Sequence, residues 1–406
     1  MTPFLQLIFT LTIIILAAKS AGYLVTRLGQ PSVLGELLVG ILLGPTLIDL
    51  THLPFITDPH LGEIIYEMGE LGVLMLMFIA GLELHLSDLT RETRASAYAG
   101  ILGVLVPVGF GLGTGLMLGQ PFTLALFLGL SLGATSVSIS AQTLIEMKAL
   151  RSRIGLTLLG AAVFDDVLVI LLLSIFVAVS SGGNGLTETA LVLLKMIVFL
   201  GASAAFGIWL LPRLSRLVAR LSVSQGSLAF AIVILLVYGL AAELVGGMAA
   251  ITGTFMAGLM FSRTPEKSVI EPGLHAIAYG FFVPIFFISI GLGVDLANLG
   301  LDAVWLTLVI TVVAILGKVI GSGIGGRLGR LNWRESLQLG VGMISRGEVG
   351  LIVAQLGLDE GLLDQTTFSA VIGMVILTTV VTPPLLRASF AQPKPAPQPG
   401  GQEEVS

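Results

Sequence analysis

Long apolar runs, each closed by a short polar or glycine-proline break, organise the sequence from its first residues to about position 388. A membrane-crossing helix needs about 20 mostly apolar residues. On that template the chain divides into thirteen spans, at 4–27, 33–50, 63–83, 95–118, 122–145, 153–179, 186–211, 226–244, 247–262, 274–294, 302–328, 334–357 and 366–388. The basic residues give an independent check, because cytoplasmic loops close to membrane ends collect Lys and Arg. Arg27 follows the first span, Arg91 and Arg94 the third, Lys148, Arg151 and Arg153 the fifth, and Arg213, Arg216 and Arg220 the seventh. Arg263 and Lys267 follow the ninth, Arg327, Arg330 and Arg334 the eleventh, and Arg387 and Lys394 the last. The even-numbered loops carry none. The alternation predicts a multi-pass protein of the inner (plasma) membrane with its N-terminus outside and its C-terminus in the cytoplasm. The first apolar run has no basic segment before it and is longer than the core of a signal peptide, so it is read as a retained span.

Composition narrows the class further. Of 406 residues 55% are hydrophobic and 11% charged, and the mean hydropathy is +1.01. A soluble core could not hide that much apolar surface, so membrane lipid is the surrounding partner. Cysteine is absent, which excludes disulfides and thiolate metal sites. No nucleotide-binding loop, metal cage or nucleophile arrangement is visible. The sequence therefore points away from an enzyme, from a resident cofactor and from a nucleic-acid partner.

Sixteen of the 20 basic residues fall in the cytoplasmic segments, leaving Lys19, Lys195, Lys318 and Arg346 inside spans. Lys19 and Lys195 lie close enough to span ends to snorkel. Helix six, LTLLGAAVFDDVLVILLLSIF, carries Asp165 and Asp166 near its middle. A charge at that depth costs about 2.5–3.5 kcal/mol on insertion scales, so two side by side point to an ion or proton pathway. Successive helical residues point about 100° apart, which gives the two carboxylates separate surroundings and separate roles. The hard oxygens of Asp165 and Asp166 suit a small cation. One carboxylate can then carry either a proton or a cation.

Lys318, in AILGKVIGSGIGG, lies two helical turns from Arg327 and needs a carboxylate partner. Asp165 is the expected one, leaving open whether the lysine carries a proton or is structural. Arg346 and Glu348, in MISRGEVGLIVAQLGL, either neutralise each other and nearby helix ends or serve gating and dipole compensation. Glu36 and Glu83 fall near span ends and are expected in wet interfaces. His52, His60 and His85 lie in or beside loops, with nothing that assigns them a pH-sensing role.

FIAGLELHLSDL at 78–89 resembles FISIGLGVDLANL at 287–299 at a constant offset of 210, which also lays GATS at 133–136 over MISR at 343–346. The paired units lie seven spans apart, so the second copy would run through the membrane inverted. Inverted repeats with interrupted helices at the midplane are characteristic of secondary transporters. Gly133, Thr135 and Ser136 in the fifth span and Gly342, Ser345 and Gly347 in the twelfth are the predicted interruptions.

GELLVGILLGP at 35–45, FIAGLEL at 78–84, GATSVSISAQTL at 133–144, GAAVFDDVL at 160–168, LGKVIG at 316–321 and MISRGEVGLIVAQLGL at 343–358 together span nearly the whole chain. With these motifs it resembles the second monovalent cation/proton antiporter family of the sodium/proton exchanger superfamily, most of all its NapA-type bacterial members. The resemblance implies an all-α membrane protein of thirteen helices, two inverted six-helix repeats joined by a linker helix, with crossed discontinuous helices. It also implies a homodimer and an elevator movement. In that scheme helices one to three (1–90) and eight to ten (223–298) form a dimerisation scaffold. Helices four to six (91–182) and eleven to thirteen (299–390) form the ion-carrying core, helix seven (183–222) is the linker, and 391–406 is a disordered cytoplasmic tail. The implied ion site is Asp165, Asp166, Thr135 and Ser136, with Lys318 as charge partner and Arg346 and Glu348 compensating the helix breaks.

Potassium-efflux members of that family commonly replace the first aspartate by glutamine and append a nucleotide-binding domain. Here the first position is Asp165, and the chain after Arg387 is a short polar segment, ASFAQPKPAPQPGGQEEVS. The paired aspartates accordingly imply electrogenic sodium/proton exchange aiding pH homeostasis. A potassium/proton antiporter is the alternative, because oxygen ligands do not fix ion size from sequence. A channel or sensor on the same fold would not need the aspartate pair and Lys318 together. An organic-anion symporter on a related fold would want basic or polar cavity residues, which helix six lacks.

Overall fold

The computed structural model describes residues 1–84, 92–180, 185–293, 301–347 and 363–391, together with Gly350, Ala354 and Gly357. The described residues form sixteen α-helices: α1 Pro3–Arg27, α2 Ser32–Leu43, α3 Leu61–Leu82, α4 Thr93–Met117, α5 Phe122–Gly133, α6 Val137–Glu146, α7 Arg153–Ser180, α8 Gly185–Ala205, α9 Leu211–Ala219, α10 Gly226–Ala241, α11 Ala250–Phe261, α12 Lys267–Ile277, α13 Val283–Leu292, α14 Leu301–Leu328, α15 Trp333–Gly342 and α16 Gln365–Phe390. Ten helical stretches are long and apolar enough to cross a bilayer, and α2 and α11 are shorter apolar helices. This is an all-helical, multi-pass membrane protein.

Several boundaries differ from those predicted. The second span stops at Leu43 instead of 50, because Gly44 and Pro45 follow and the residue before a proline is pushed out of the helical region. The seventh runs on from α8 through a π-helical turn at Phe206–Leu210 into α9, and the tenth begins at Lys267 and passes through a second such turn at Ala278–Phe282. Pro212 and Pro284 stand just after these turns. Proline supplies no N–H for the carbonyl four residues back, and a local shift to wider pairing accommodates that loss.

At about 1.5 Å per residue, the 12-residue α2 and α11 span only some 18 Å. Neither is therefore long enough alone to cross a hydrocarbon core of about 30 Å. The fifth predicted span breaks in the middle. α5 ends at Gly133, residues 134–136 are extended, and α6 begins at Val137. The twelfth breaks likewise, with α15 ending at Gly342 and residues 344–347 outside any helix.

Packing sorts the helices into two groups. α1, α2, α3, α10, α11 and α13 pack mainly among themselves, as do α4, α5, α7, α14, α15 and α16, while α6 touches α2 and α3 on one side and α7 and α16 on the other, and α16 also packs on α2. In the second group α14 lies along α4 through a stripe of small residues. A Cβ at Gly317 would stand 2.9 Å from Pro107 Cα, and at Gly325 or Gly321 it would strike the α4 backbone. Stripes of this kind let helix backbones approach closely where lipid offers no hydrophobic drive.

Candidate ion-binding site

The α14 stripe sets where Lys318 points. Its side chain lies wholly buried beside α4, and its Nζ donates to Asp165 Oδ1 at 2.6 Å. Gly103 on α4 makes room, because a Cβ there would collide with Ser322 on α14. Asp165 and Asp166 are the 13th and 14th of the 28 residues of α7 and diverge as helical geometry requires. Asp165 is fully enclosed, and its Oδ2 receives no hydrogen bond among the described residues.

Asp166 turns the other way. Its Oδ2 accepts from Thr252 Oγ1 of α11 at 2.6 Å, and it lines a small cavity with Met77, Val137, Leu159, Ala162 and Thr252. Asp166 keeps 7% of its surface accessible, against 0% for Asp165. The two neighbouring carboxylates thus stand in opposite electrostatic settings, one neutralised by a lysine and the other facing hydroxyl oxygen and space.

The helix breaks meet beside the pair. Ser136 N–H donates to Ser345 O at 2.8 Å, and Ser345 Oγ donates back to Ser136 O. The two non-helical stretches therefore bond to each other's backbone. Ser140 Oγ adds a bond to Gly342 O, the last residue of α15. Thr135 Oγ1 is buried with no hydrogen-bond partner among the described residues, two residues before the cavity-lining Val137. Ser136 Oγ lies 2.9 Å from Ser138 Oγ.

Arg346 is fully buried and gives its guanidinium to main-chain carbonyls, to Ile344 O at 2.6 Å, Leu132 O at 2.8 Å, and Met343 O and Ala314 O at 3.3 Å. Two helix C-termini, those of α5 and α15, converge there, each carrying about half a negative charge. One buried cation between them neutralises both. Glu348, the expected companion of Arg346, lies outside the described residues, as does the tail from residue 392.

Glu36 corrects an expectation. It is buried, 5% exposed, and stands 4.0 Å from Lys19 instead of in a wet interface. Close by, Glu146 at the end of α6 accepts from Ser32 N–H and Ser32 Oγ at 2.6 Å each, capping α2. Lys19 has a half-exposed side chain, in keeping with snorkelling, and donates to Tyr279 O. Sequence reasoning passed over Thr252, Ser140 and Glu146, whose roles come from partners far along the chain.

The transmembrane sodium/hydrogen exchanger family model matches residues 12–390. The chain is 40% identical over 385 residues to the Na+/H+-K+ antiporter GerN of Bacillus cereus, across 95% of this chain and 96% of that protein. It is 34% identical over 384 residues to a Na+/H+ antiporter of Enterococcus hirae, across 94% and 98% of the two chains. A solved structure of the sodium proton antiporter MjNhaP1 from Methanocaldococcus jannaschii at pH 8 is alike in fold, with a TM-score of 0.64 at 17% identity over 96% of this chain and all of that one.

Proposed function

Because this chain belongs to the sodium/hydrogen exchanger family of monovalent cation/proton antiporters, we propose that it is a secondary active Na+/H+ antiporter of the inner membrane. The observation that carries this reading is the opposite settings of two adjacent carboxylates, Asp165 paired with Lys318 and Asp166 open to a cavity. Asp166 alternates between a proton and a cation. In either loaded form its charge is offset, and in the empty form a net negative charge at membrane depth is costly. The site therefore changes sides loaded, which couples one flux to the other.

Lys318 decides the charge balance. If binding of Na+ releases the lysine from Asp165 and the lysine then loses its proton, more protons than sodium ions move per cycle and exchange is electrogenic. Thr135 and Ser136, at the break between α5 and α6, supply further oxygens near the cation. In this reading Arg346 and Glu348 compensate the crossed helix ends. The thirteen-span topology with N-terminus out and C-terminus in, the inverted repeats and the elevator movement belong to the same proposal. So does dimerisation through the scaffold. Most helix packing falls within the two groups, with α6 and the α2–α16 contact between them, which favours the elevator movement, since the group holding Asp165, Lys318 and Arg346 can move as one body. Potassium is the second cation to consider, given the name of the GerN relative.

The test is exchange by purified protein in liposomes, with Na+, Li+ or K+ added outside and internal pH followed, with and without an imposed membrane potential. Saturable, cation-driven proton flux that responds to potential is expected. A cation leak current without proton countertransport would replace this reading with a channel.

A further inference from the structure

Hydroxyl side chains in helices ordinarily bond back to a carbonyl of their own helix. On and after α11, Thr254 Oγ1 donates to Ile251 O at 3.0 Å and Ser262 Oγ to Leu259 O at 2.8 Å. Thr252 departs from this pattern. Its hydroxyl leaves its own helix and donates across the molecule to Asp166 Oδ2 at 2.6 Å. The two residues belong to different packing groups, and both line the same cavity.

The backbone places Thr252 there for a reason. α10 ends in a π-helical turn at Ala242–Gly246, and Gly247 takes the left-handed conformation at φ 61°. The chain then restarts as α11, so that Thr252 occupies its first turn at membrane depth. The positive end of the helix and a hydroxyl are thereby aimed at the carboxylate together. A hard monovalent cation entering the cavity needs oxygen ligands, and a carboxylate oxygen and a hydroxyl oxygen 2.6 Å apart can both touch one ion. The hydroxyl proton then turns away, and the oxygen offers its lone pair.

We infer that Thr252 is a ligand of the transported cation, contributed to Asp166 from the opposite packing group. This rests on the reading of Asp166 as the carrier. In the empty site the hydroxyl holds the carboxylate in place, and in the loaded site it completes the cation's oxygen shell. The cation must part from Thr252 when Asp166 moves, so the hydroxyl raises affinity on the side to which this conformation opens and is left behind afterwards.

The experiment compares full-length Thr252→Val, Thr252→Ser, Thr252→Cys and Asp166→Asn with the unaltered protein. It measures KM and kcat for Na+ in liposomes and, in detergent, the rise in Tm on adding NaCl. Valine keeps the shape without the oxygen, and cysteine puts a soft sulfur where a hard cation wants oxygen. Losing one oxygen ligand should raise KM about tenfold in the Val and Cys variants, with kcat within about threefold and a smaller sodium-induced Tm rise. The Ser variant should stay within about twofold of the parent. An unchanged or lowered KM in the Val variant overturns the inference, as does a Ser variant as impaired as Val, which would assign the effect to packing. If the Val variant does not fold, the Cys variant carries the same comparison. Asp166→Asn separates the two ideas. Loss of exchange there alongside an unaffected Thr252→Val defeats the Thr252 role alone, and sodium-driven exchange retained there defeats the carrier reading itself.

Discussion

Lys318 meets Asp165 from 153 positions further along the chain, in a 2.6 Å contact where both side chains are shielded from solvent. Removing one member of such a pair strands the other charge in a medium that cannot solvate it. Lys318→Gln should therefore cost about 3–5 kcal/mol of stability, and so should Asp165→Asn. The double change, with no buried charge left, should recover most of the loss. Thermal unfolding of the three variants in one detergent checks this. Additive losses in the double variant would mean that the two residues do not act as a pair.

The same lysine separates two transport schemes. A Lys318→Gln protein that still exchanges Na+ for protons but no longer responds to membrane potential has lost a transported charge, as expected if the lysine gives up a proton each cycle. Unchanged voltage dependence in liposomes would leave Lys318 a structural partner.

Arg346 should resist conservative replacement. Its planar fork reaches carbonyls of Leu132 on α5, of Met343 and Ile344 after α15, and of Ala314 on α14. A lysine keeps the charge but offers one compact ammonium, which cannot serve three segments at once. Arg346→Lys should lose about 2 kcal/mol or more from carbonyls left without donors, and Arg346→Gln, lacking the charge as well, should lose more. Unfolding midpoints of the purified variants decide the order.

The bilayer made much of this legible in advance. Spans had to be long and apolar, so their positions could be read from hydropathy. The aspartates of α7 and the lysine of α14 were conspicuous because almost nothing charged surrounds them. The breaks at 134–136 and 344–347 fell among glycine and serine, which tolerate non-helical backbone. What sequence left hidden depends on partners. Thr252 is one hydroxyl among several in a short apolar helix, and only the placement of α11 turns it toward Asp166. Glu36 looked solvated because it sits near a span end, yet α1 and α6 close over that end. The early stop of α2 at Leu43 outweighed an apolar run that continues to Leu50.

Gly347 tests the crossing of the two interrupted segments. A Cβ there would lie 2.5 Å from Ser136 Oγ and 2.6 Å from Ser136 Cβ, too close for the two non-helical stretches to keep their mutual bonds. Gly347→Ala should cost about 1–3 kcal/mol and lower exchange by displacing Ser136 and Thr135. The paired change Gly347→Ala with Ser136→Gly, which vacates that space, should recover stability but not full cation affinity. Stability measured together with KM for Na+ separates the two effects.

In the proposed exchange one carboxylate, Asp166, carries both ions in turn. Asp166→Asn is nearly the same size and still accepts a hydrogen bond from Thr252, but its amide can neither take up a proton at neutral pH nor neutralise a cation. The direct measurement is alkalinisation of liposomes holding this variant and acidified inside, on addition of external Na+. The expected result is a folded protein whose sodium-driven proton flux falls to that of empty liposomes. Flux comparable with that of the unaltered protein would contradict it.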